Sequence, residues 1–332
     1  MGRPTIEEVA LRAGVSRGTA SRVINGAAHV SADAREKVLR AVDELRYVPS
    51  RAARSLVTQR NDTVALAISN VDPRLFSDHP FFSEVILGID EVLAEADLEL
   101  TLVLGTSQAA RDRLSRRLSS RRVDGVMLLS LHGNDPLYSL VEHADIPIVF
   151  GGKPLGIEPD HYVDADNRGG ARQAVAHLVR TGRRRIATIT GPQDMDAAVA
   201  RFNGFRDALG EARLEDHRVA YGDFSEASAS AAMAELLERF PDLDAVFAAA
   251  DAMAAAAMRV LAANGRRVPE DVAVVGFDDR PAALHLSPPL TTVHQPIRAL
   301  GTEMARMLVA LVNGRPATSL ILPTRLVVRG SA

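Results

Sequence analysis

The sequence predicts an α/β protein with a small N-terminal helical unit and a two-lobed body of doubly wound parallel sheets. Two observations predict this architecture: a helix-turn-helix spacing over residues 5–24, and two rounds of alternating apolar strands and amphipathic helices after residue 62. Such alternation is typical of parallel sheets covered by helices. With 332 residues and an apolar fraction of 47%, the chain can bury the cores that these lobes need.

The helical unit is predicted from residues that start and stop helices. Thr5 and Glu8 have the spacing of a capping box, and Gly14 permits the positive φ angle that ends a helix in a tight turn. Ser16 is a good N-cap for a second helix, and a third helix is expected over 32–45. Three short helices in this order make one small domain.

The body is predicted as two rounds of strands and helices. In the first round we expect strands at 63–69, 98–104, 123–129 and 146–150, with helices at 82–96, 109–120 and 136–144. In the second round we expect helices at 168–181, 196–211, 225–239 and 251–264, with strands at 185–190, 217–221, 244–248 and 271–276. Ligands of such sheets bind outside the carboxyl ends of the strands, so we expect a ligand cleft there.

The charge is unevenly distributed. Residues 1–60 have a formal charge of +5, whereas the remainder has −8. A basic end on an acidic body is typical of a nucleic-acid-binding module joined to a small-molecule domain. The chain has no cysteine, no apolar run long enough to span a membrane and no signal-peptide pattern, so we expect a cytoplasmic protein.

No catalytic motif is found in the sequence. The phosphate-binding loop, the His-Glu-x-x-His zinc motif, the Gly-x-Ser-x-Gly elbow and the dinucleotide fingerprint are all missing. A calcium loop is superficially suggested from Asp164 onward, but Arg168 occupies a ligand position, so a strand-to-helix turn is expected there. We therefore expect no enzyme activity, no metal and no cofactor.

Several strings resemble those of the LacI/GalR family of transcriptional repressors. They are ALRAGVSRGTASRVING at 10–26, YVP at 47–49 followed by Leu56, GP at 191–192, RFNGF at 201–205, VVGFDD at 274–279 and PPLTTV at 288–293. The resemblance covers essentially the whole chain, and the body is most similar to actinobacterial repressors that respond to cello-oligosaccharides.

The resemblance implies a domain organisation. It gives a helix-turn-helix DNA-binding domain at 1–48, a hinge helix at 49–60 and an effector-binding and dimerisation body at 61–332, similar to the type I periplasmic sugar-binding proteins. Within the body it gives an N-lobe at about 61–161 and 291–322 and a C-lobe at about 162–290 and 323–332. The chain is expected to cross between these lobes three times.

The second helix would enter the major groove of DNA, which places Arg17, Gly18 and Arg22 at the base edges. Arginine prefers guanine, although Arg17 could instead contact only phosphate or solvent. Gly18 departs from the family, which usually has a side chain there, so base recognition at that position should be weak. The other predicted DNA-binding residues are Thr5, Ser16, Thr19, Ser21, Asn25, Arg51, Arg54 and Leu56. Ser16 is equally explained as a helix cap.

Leu56 has a specific role by resemblance. Paired hinge helices of a dimer would push this leucine between base steps of the minor groove and kink the DNA. A buried leucine is the alternative, but its neighbours Arg51, Arg54, Ser55 and Thr58 offer little apolar surface. The apolar stripe of helix 82–96 is placed by resemblance at the dimer interface, with lobe core as the alternative. No leucine heptads follow the body, so we expect a dimer.

Arg201 and Asp278 match the two most recurrent effector-binding positions of the family. A guanidinium and a carboxylate can each make paired hydrogen bonds to sugar hydroxyls; the alternatives are a surface arginine and a turn cap. Phe224 matches a position where an aromatic ring often stacks on the ligand, or it is core. Ala250 departs from the family's usual polar residue. Further candidates at strand ends or adjoining loops are Ser69, Asp72, Phe81, His132 and Asp164.

Together these features imply a repressor of sugar-utilisation genes that binds a palindromic operator as a dimer. A small sugar, cellobiose or a longer cello-oligosaccharide, would release it from the DNA. A corepressor-dependent regulator of the same family and a sugar-binding transport protein are the alternatives.

We predict that Leu56→Ala weakens binding to the specific operator while effector binding is retained, because only the minor-groove contact is lost. Gel shifts on operator DNA, with calorimetry of effector binding as the control, measure both. An unchanged operator affinity would contradict the predicted role of Leu56.

Overall fold

The computed structural model describes residues 4–24, 29–47, 60–69, 81–105, 107–120, 122–133, 135–141 and 144–332. The chain forms two compact units, one of Met1–Thr63 with Arg122–Asp124 and one of the remaining residues. The predicted site residues Asn25, Arg51, Arg54, Leu56 and Asp72 lie outside the described residues, as does the predicted hinge helix up to residue 59. These assignments stay predictions.

The described residues of the N-terminal unit form three helices, α1 (Ile6–Ala13), α2 (Arg17–Ile24) and α3 (Ala32–Leu45). Their inward faces meet in a small core in which Val9, Ala20 and Val38 are fully buried. The unit therefore has the three-helix arrangement that the sequence predicts.

Local capping explains why the first two helices begin and end where they do. The Thr5 N–H donates to Glu8 Oε2 at 2.8 Å, and the Glu8 N–H donates to Thr5 Oγ1 at 3.3 Å, so the predicted capping box is present. Gly14 has a φ angle of 65° and closes α1, since its N–H donates to carbonyls of the last turn. The Thr19 N–H then donates to Ser16 Oγ at 3.1 Å, which caps α2.

The first lobe of the body is built on a six-stranded sheet with the order β11-β5-β4-β3-β1-β2. Its strands are β1 (Thr63–Ser69), β2 (Glu99–Gly105), β3 (Gly125–Leu129), β4 (Ile148–Gly151), β5 (Tyr162–Ala165) and β11 (Leu320–Leu322). Its helices are α4 (Phe81–Glu95), α5 (Gln108–Ser119), α6 (Pro136–Val141) and α11 (Ile297–Val312). The pairs β1–β3, β3–β4, β4–β5 and β5–β11 are parallel.

Helix α4 packs against α11 over one face of this sheet. Phe82, Val85, Ile89 and Leu93 are buried in the lobe core between the two helices and the strands. These four side chains of the stripe therefore belong to the lobe core, whereas Ile86 and Val92 of the same stripe are only partly buried; the position of α4 at a dimer interface stays a prediction. The sequence could not decide this, because periodicity shows that a face is buried but not what covers it.

The second lobe has a four-stranded parallel sheet with the order β7-β6-β8-β9. Its strands are β6 (Ile186–Thr190), β7 (Val219–Tyr221), β8 (Ala245–Ala248) and β9 (Ala273–Val275), and its helices are α7 (Asn167–Arg180), α8 (Asp196–Ala212), α9 (Glu226–Arg239) and α10 (Asp251–Ala263). Helices α7 and α8 contribute to one apolar cluster and α9 and α10 to another. The doubly wound parallel fold predicted for both lobes is confirmed, with element ends within three residues of the predicted ones.

The chain crosses between the lobes three times, at 165–167, 294–297 and 322–325. Strands β10 (Thr292–His294) and β12 (Arg325–Val327) pair antiparallel beside two of these crossings. The predicted lobe boundary at 161/162 falls just before β5, whose pairing with β4 and β11 places it in the first sheet. None of the helices found in the described ranges is long and apolar enough to span a membrane.

Two glycines allow α4 and α11 to approach each other closely. A Cβ on Gly301 would lie 2.1 Å from the Val85 carbonyl oxygen, and a Cβ on Gly88 would lie 2.2 Å from the Arg298 carbonyl oxygen. Because both obstacles are backbone atoms, the helices would have to separate to accept a methyl group.

We predict that Gly301→Ala destabilises the body by about 3 kcal/mol, at the upper end of the range for overpacked cores. Thermal unfolding of the variant measures the loss. Gly210→Ala is the matched control, since a Cβ on this helical glycine meets nothing within 4 Å and alanine favours helix. Equal unfolding temperatures for the two variants would show that the close approach is not rigid.

Candidate functional site

One cavity of about 770 Å³ is lined by residues at the carboxyl ends of strands in both lobes. This is the position expected for the ligand cleft of such sheets, and the volume is within the ~300–1,000 Å³ of small-molecule sites. Six predicted effector-binding residues line it, namely Phe81, His132, Asp164, Arg201, Phe224 and Asp278. The structure therefore brings together residues that are separated by up to about two hundred positions in the sequence.

Arg201 lies at the centre of the polar lining, on α8. Its Nε donates to Asn167 Oδ1 at 2.9 Å, Nη1 to the Ala249 carbonyl at 2.6 Å and Nη2 to Gln295 Oε1 at 2.8 Å. The guanidinium lies 3.7 Å from the ring centroid of Phe277, a cation–π contact. Burial lowers the pKa of Arg201, while the Asp278 carboxylate opposes this shift. Arg201 is thus a held, oriented donor and not a surface arginine.

Asp278 follows β9 and faces Arg201, with its Oδ1 3.5 Å from Arg201 Nη1. Its φ angle of 110° is unusual for a residue with a side chain. The next residue, Asp279, is occupied by protein contacts: it accepts from Arg329 Nη2 and lies 3.0 Å from His294 Nδ1. The two adjacent aspartates therefore differ in role, since only Asp278 lines the large cavity.

Asp164 lies at the end of β5 and is almost fully buried. It accepts from the backbone N–H groups of Lys153 at 3.1 Å and Ala165 at 2.7 Å, and from Asn167 Nδ2 at 3.0 Å. Burial raises the pKa of the Asp164 carboxyl, and the hydrogen bonds from Lys153 and Ala165 partly oppose the shift. Because Asn167 also contacts Arg201, Asp164 helps to orient the central guanidinium.

Asp251 was not predicted as a site residue, yet it holds the loop that contains Asp278. Its carboxylate accepts from the Arg280 N–H at 2.7 Å and from the Thr292 hydroxyl at 2.5 Å. Burial, together with the nearby charge of Asp278, raises the pKa of Asp251 to about 7. Asp251 is therefore a positioning residue behind the cavity wall.

The aromatic and interlobe residues complete the cavity. Phe224 has a φ angle of 69°, and its ring centroid lies 5.8 Å from the Arg201 guanidinium carbon. His132, in the first lobe, places Nδ1 3.0 Å from the carboxylate of Asp194 in the second lobe. Ser69 is not among the lining residues; it is buried at the end of β1, and its hydroxyl donates to Asp135.

Several further lining residues were not predicted from the sequence, among them Lys153, Asn167, Arg280 and Gln295. Each follows a strand or lies at a crossing between the lobes, so position at a strand end was the available signal. The residue types alone gave no signal, because these residues acquire their contacts only when distant parts of the chain pack together. Within the described ranges, no three His, Asp or Glu side chains are grouped so as to hold a metal ion.

The predicted DNA-contacting face of α2 is accessible. Arg17, Gly18 and Arg22 are exposed, whereas Ala20 and Val23 face the core. Arg17 Nε lies 2.9 Å from Glu7 Oε1, and Arg22 Nε donates to the Gly18 carbonyl at 3.2 Å. Both pairs are exposed and weak, so they can be exchanged for contacts with DNA.

Comparisons with known proteins match both units. The sequence pattern of the lacI family of bacterial regulatory proteins matches residues 5–50, and that of a periplasmic binding protein-like domain matches residues 175–332. The HTH-type transcriptional regulator CelR of Thermobifida fusca is 53% identical over 335 residues, covering 99% of this chain and 98% of CelR. The HTH-type transcriptional repressor PurR of Vibrio atlanticus is 35% identical over 317 residues, covering 94% and 92%.

Solved structures of transcriptional regulators also match this chain over nearly its whole length. A complex of the transcriptional regulator CelR with cellobiose matches with a TM-score of 0.79 at 51% identity, covering 99% of this chain and 100% of that one. The lac repressor dimer bound to operator and the anti-inducer ONPF matches with a TM-score of 0.85 at 29% identity, covering 99% of both chains.

We predict that Asp251→Asn removes a pH-dependent loss of stability. The pKa of Asp251 is about 7 in the folded state, against an ordinary value of 3.8. Between pH 4 and pH 7 the carboxyl is therefore protonated in the folded state and ionised in the unfolded state. Wild-type stability should therefore fall, relative to the variant, as pH rises from about 4 to about 7, and stay level above that. The neutral amide can still accept from Arg280 and donate to the Thr292 hydroxyl.

Unfolding curves of both proteins across this pH range measure the difference. Asp271→Asn is the control, because the Arg267 side chain lowers the pKa of Asp271. Its difference from wild type should be level from pH 4 to 7 and shrink only at lower pH. A constant difference for Asp251→Asn between pH 4 and 7 would contradict the shifted pKa.

Proposed function

Because the chain belongs to the lacI family of bacterial regulatory proteins, we propose that it represses sugar-utilisation genes by binding a palindromic operator as a dimer, and that cellobiose releases it. The family predicted from the sequence is thereby confirmed. The main support for the effector is the CelR–cellobiose complex, which matches 99% of this chain at 51% identity.

The lining of the cavity supports a sugar as the effector. Donors from Arg201 and acceptors from Asp278 and Asp164 lie beside the apolar rings of Phe81 and Phe224. Sugars have hydroxyl groups that need both donors and acceptors, and apolar faces that pack against aromatic rings. The cavity spans both lobes, so a bound sugar would hold them in one arrangement.

In the proposed mechanism, the sugar favours one arrangement of the lobes and thereby changes how two headpieces of a dimer are spaced. The lac repressor dimer bound to operator supports this assembly for a related chain. Effector and DNA affinities must be coupled reciprocally, and such couplings are typically about 1–3 kcal/mol. We further propose that Arg17 and Arg22 contact guanines and that the protein works in the cytoplasm, where its DNA target lies.

We also propose that the protein catalyses no reaction. Its relatives are transcriptional regulators, and Arg201 and Asp164 in the cavity are held by hydrogen bonds to the protein. Turnover of a sugar by the purified protein would contradict this part of the proposal.

The test is a gel shift on DNA upstream of the protein's own gene and of neighbouring sugar-utilisation genes, titrated with cellobiose, maltose, xylobiose and lactose. Cellobiose should release the DNA at the lowest concentration. Tighter DNA binding in the presence of cellobiose would instead indicate a corepressor, and release by none of the four sugars would refute the proposed effector.

We predict that Arg201→Met or Asp278→Asn weakens the cellobiose response at least about tenfold, because each removes charge-assisted hydrogen bonds to the sugar. Binding to operator without sugar should be retained, since neither residue belongs to the N-terminal unit. Arg259→Met, which removes an exposed arginine paired with Glu226, is the control and should respond as wild type does. An unchanged response in both site variants would mean that the effector site lies elsewhere.

A further inference from the structure

We propose that Arg280 donates hydrogen bonds directly to oxygen atoms of the bound sugar, as a second guanidinium beside Arg201, and thereby sets which sugars are accepted. This inference rests on the proposed function, because it assigns a specificity role within the same cavity.

The guanidinium of Arg280 is largely buried and has no hydrogen-bond partner among the residues that the structure describes. Arg280 lines the large cavity, and only 8% of the residue is exposed. Its Nη2 atom is fully buried and unpaired, and no guanidinium nitrogen of Arg280 hydrogen-bonds or ion-pairs with any residue that the structure describes. A guanidinium has five N–H donors and stays charged, so this arrangement is costly unless a ligand supplies acceptors.

Arg201, in the same cavity, has hydrogen-bond acceptors for its guanidinium nitrogen atoms. Its three nitrogen atoms donate to Asn167, Ala249 and Gln295, and it lies beside Asp278. Much of the hydrogen-bonding capacity of Arg201 is therefore used to hold the protein together. Within the described part of the chain, no acceptor takes a hydrogen bond from the Arg280 side chain, so its donors can serve a ligand.

The backbone of Arg280 is fixed even though its side chain is not. Its N–H donates to Asp251 Oδ2 at 2.7 Å, and Pro281 follows at the start of a short 3₁₀ helix, Pro281–His285. The charges of Asp278 and Asp251 favour the guanidinium, although burial lowers the pKa of Arg280. The arginine is thus held at the cavity by charge and backbone, while none of the described residues accepts from its side-chain donors.

The charges of the lining indicate a neutral ligand. Four carboxylates line the cavity, those of Asp164, Asp196, Asp223 and Asp278, against three cations, Lys153, Arg201 and Arg280. An acidic sugar would meet these carboxylates at close range. A neutral sugar can accept from Arg280 through hydroxyl oxygens and donate to the carboxylates through the same groups.

The test compares cellobiose binding to the full chain and to Arg280→Met and Arg280→Lys by calorimetry, with the acidic sugar cellobionate as a second probe. We expect Arg280→Met to bind cellobiose at least about tenfold more weakly. Arg280→Lys keeps the charge but loses the planar fork, so it should also bind weakly while unfolding at the wild-type temperature. Arg259→Met is the matched control and should bind as wild type does.

The outcomes separate this inference from the proposed function. If wild type binds cellobiose and both Arg280 variants bind it equally well, the inference is wrong and the proposed function stands. Wild-type affinity in Arg280→Lys alone would mean that Arg280 acts only through its charge, which also overturns direct donation from the fork. Tighter binding of cellobionate than of cellobiose would overturn the neutral ligand, and no binding of either sugar to wild type would overturn both proposals.

Discussion

The buried guanidinium of Arg201 is the interaction on which the cavity depends. Removing this charge from water is costly, and the cost is offset only because acceptors come from α7, from the end of β8 and from the crossing at Gln295. These segments are far apart in sequence, so one side chain sets their relative positions. The Phe277 ring beneath it fixes the plane of the guanidinium, and this plane determines where a ligand can accept hydrogen bonds.

The parts of the fold that the sequence predicted are those controlled by near neighbours. Thr5, Glu8 and Gly14 define the first helix through contacts within a few residues, and the strands follow from their apolar runs. Helix α11 and strand β5 were missed because they follow the last predicted strand of a round, where the alternation no longer indicates which lobe the chain joins. The stripe on α4 was recognised as buried, but its partner α11 lies about two hundred residues away.

The candidate site likewise combines features that a sequence pattern predicts with features that depend on contacts between distant segments. Arg201 and Asp278 were identified by family resemblance, and their meeting across the cavity depends on the two lobes. Asp251, Arg280 and Lys153 were missed because their importance comes from what surrounds them: burial, a neighbouring carboxylate, or the lack of an acceptor within the described residues. Such properties arise only when distant segments pack together, so no local pattern in the sequence predicts them.

The three crossings between the lobes have a consequence for how this protein can be divided. Each lobe is assembled from separate stretches of the chain, since α11 and β11 return to the first sheet after the whole second lobe has been completed. No single cut in the gene can therefore release one lobe intact, and a truncation from the C-terminal side removes part of both. The body must be inherited, shuffled and engineered as one piece, whereas the N-terminal helices precede it as an uninterrupted stretch that can be exchanged for another.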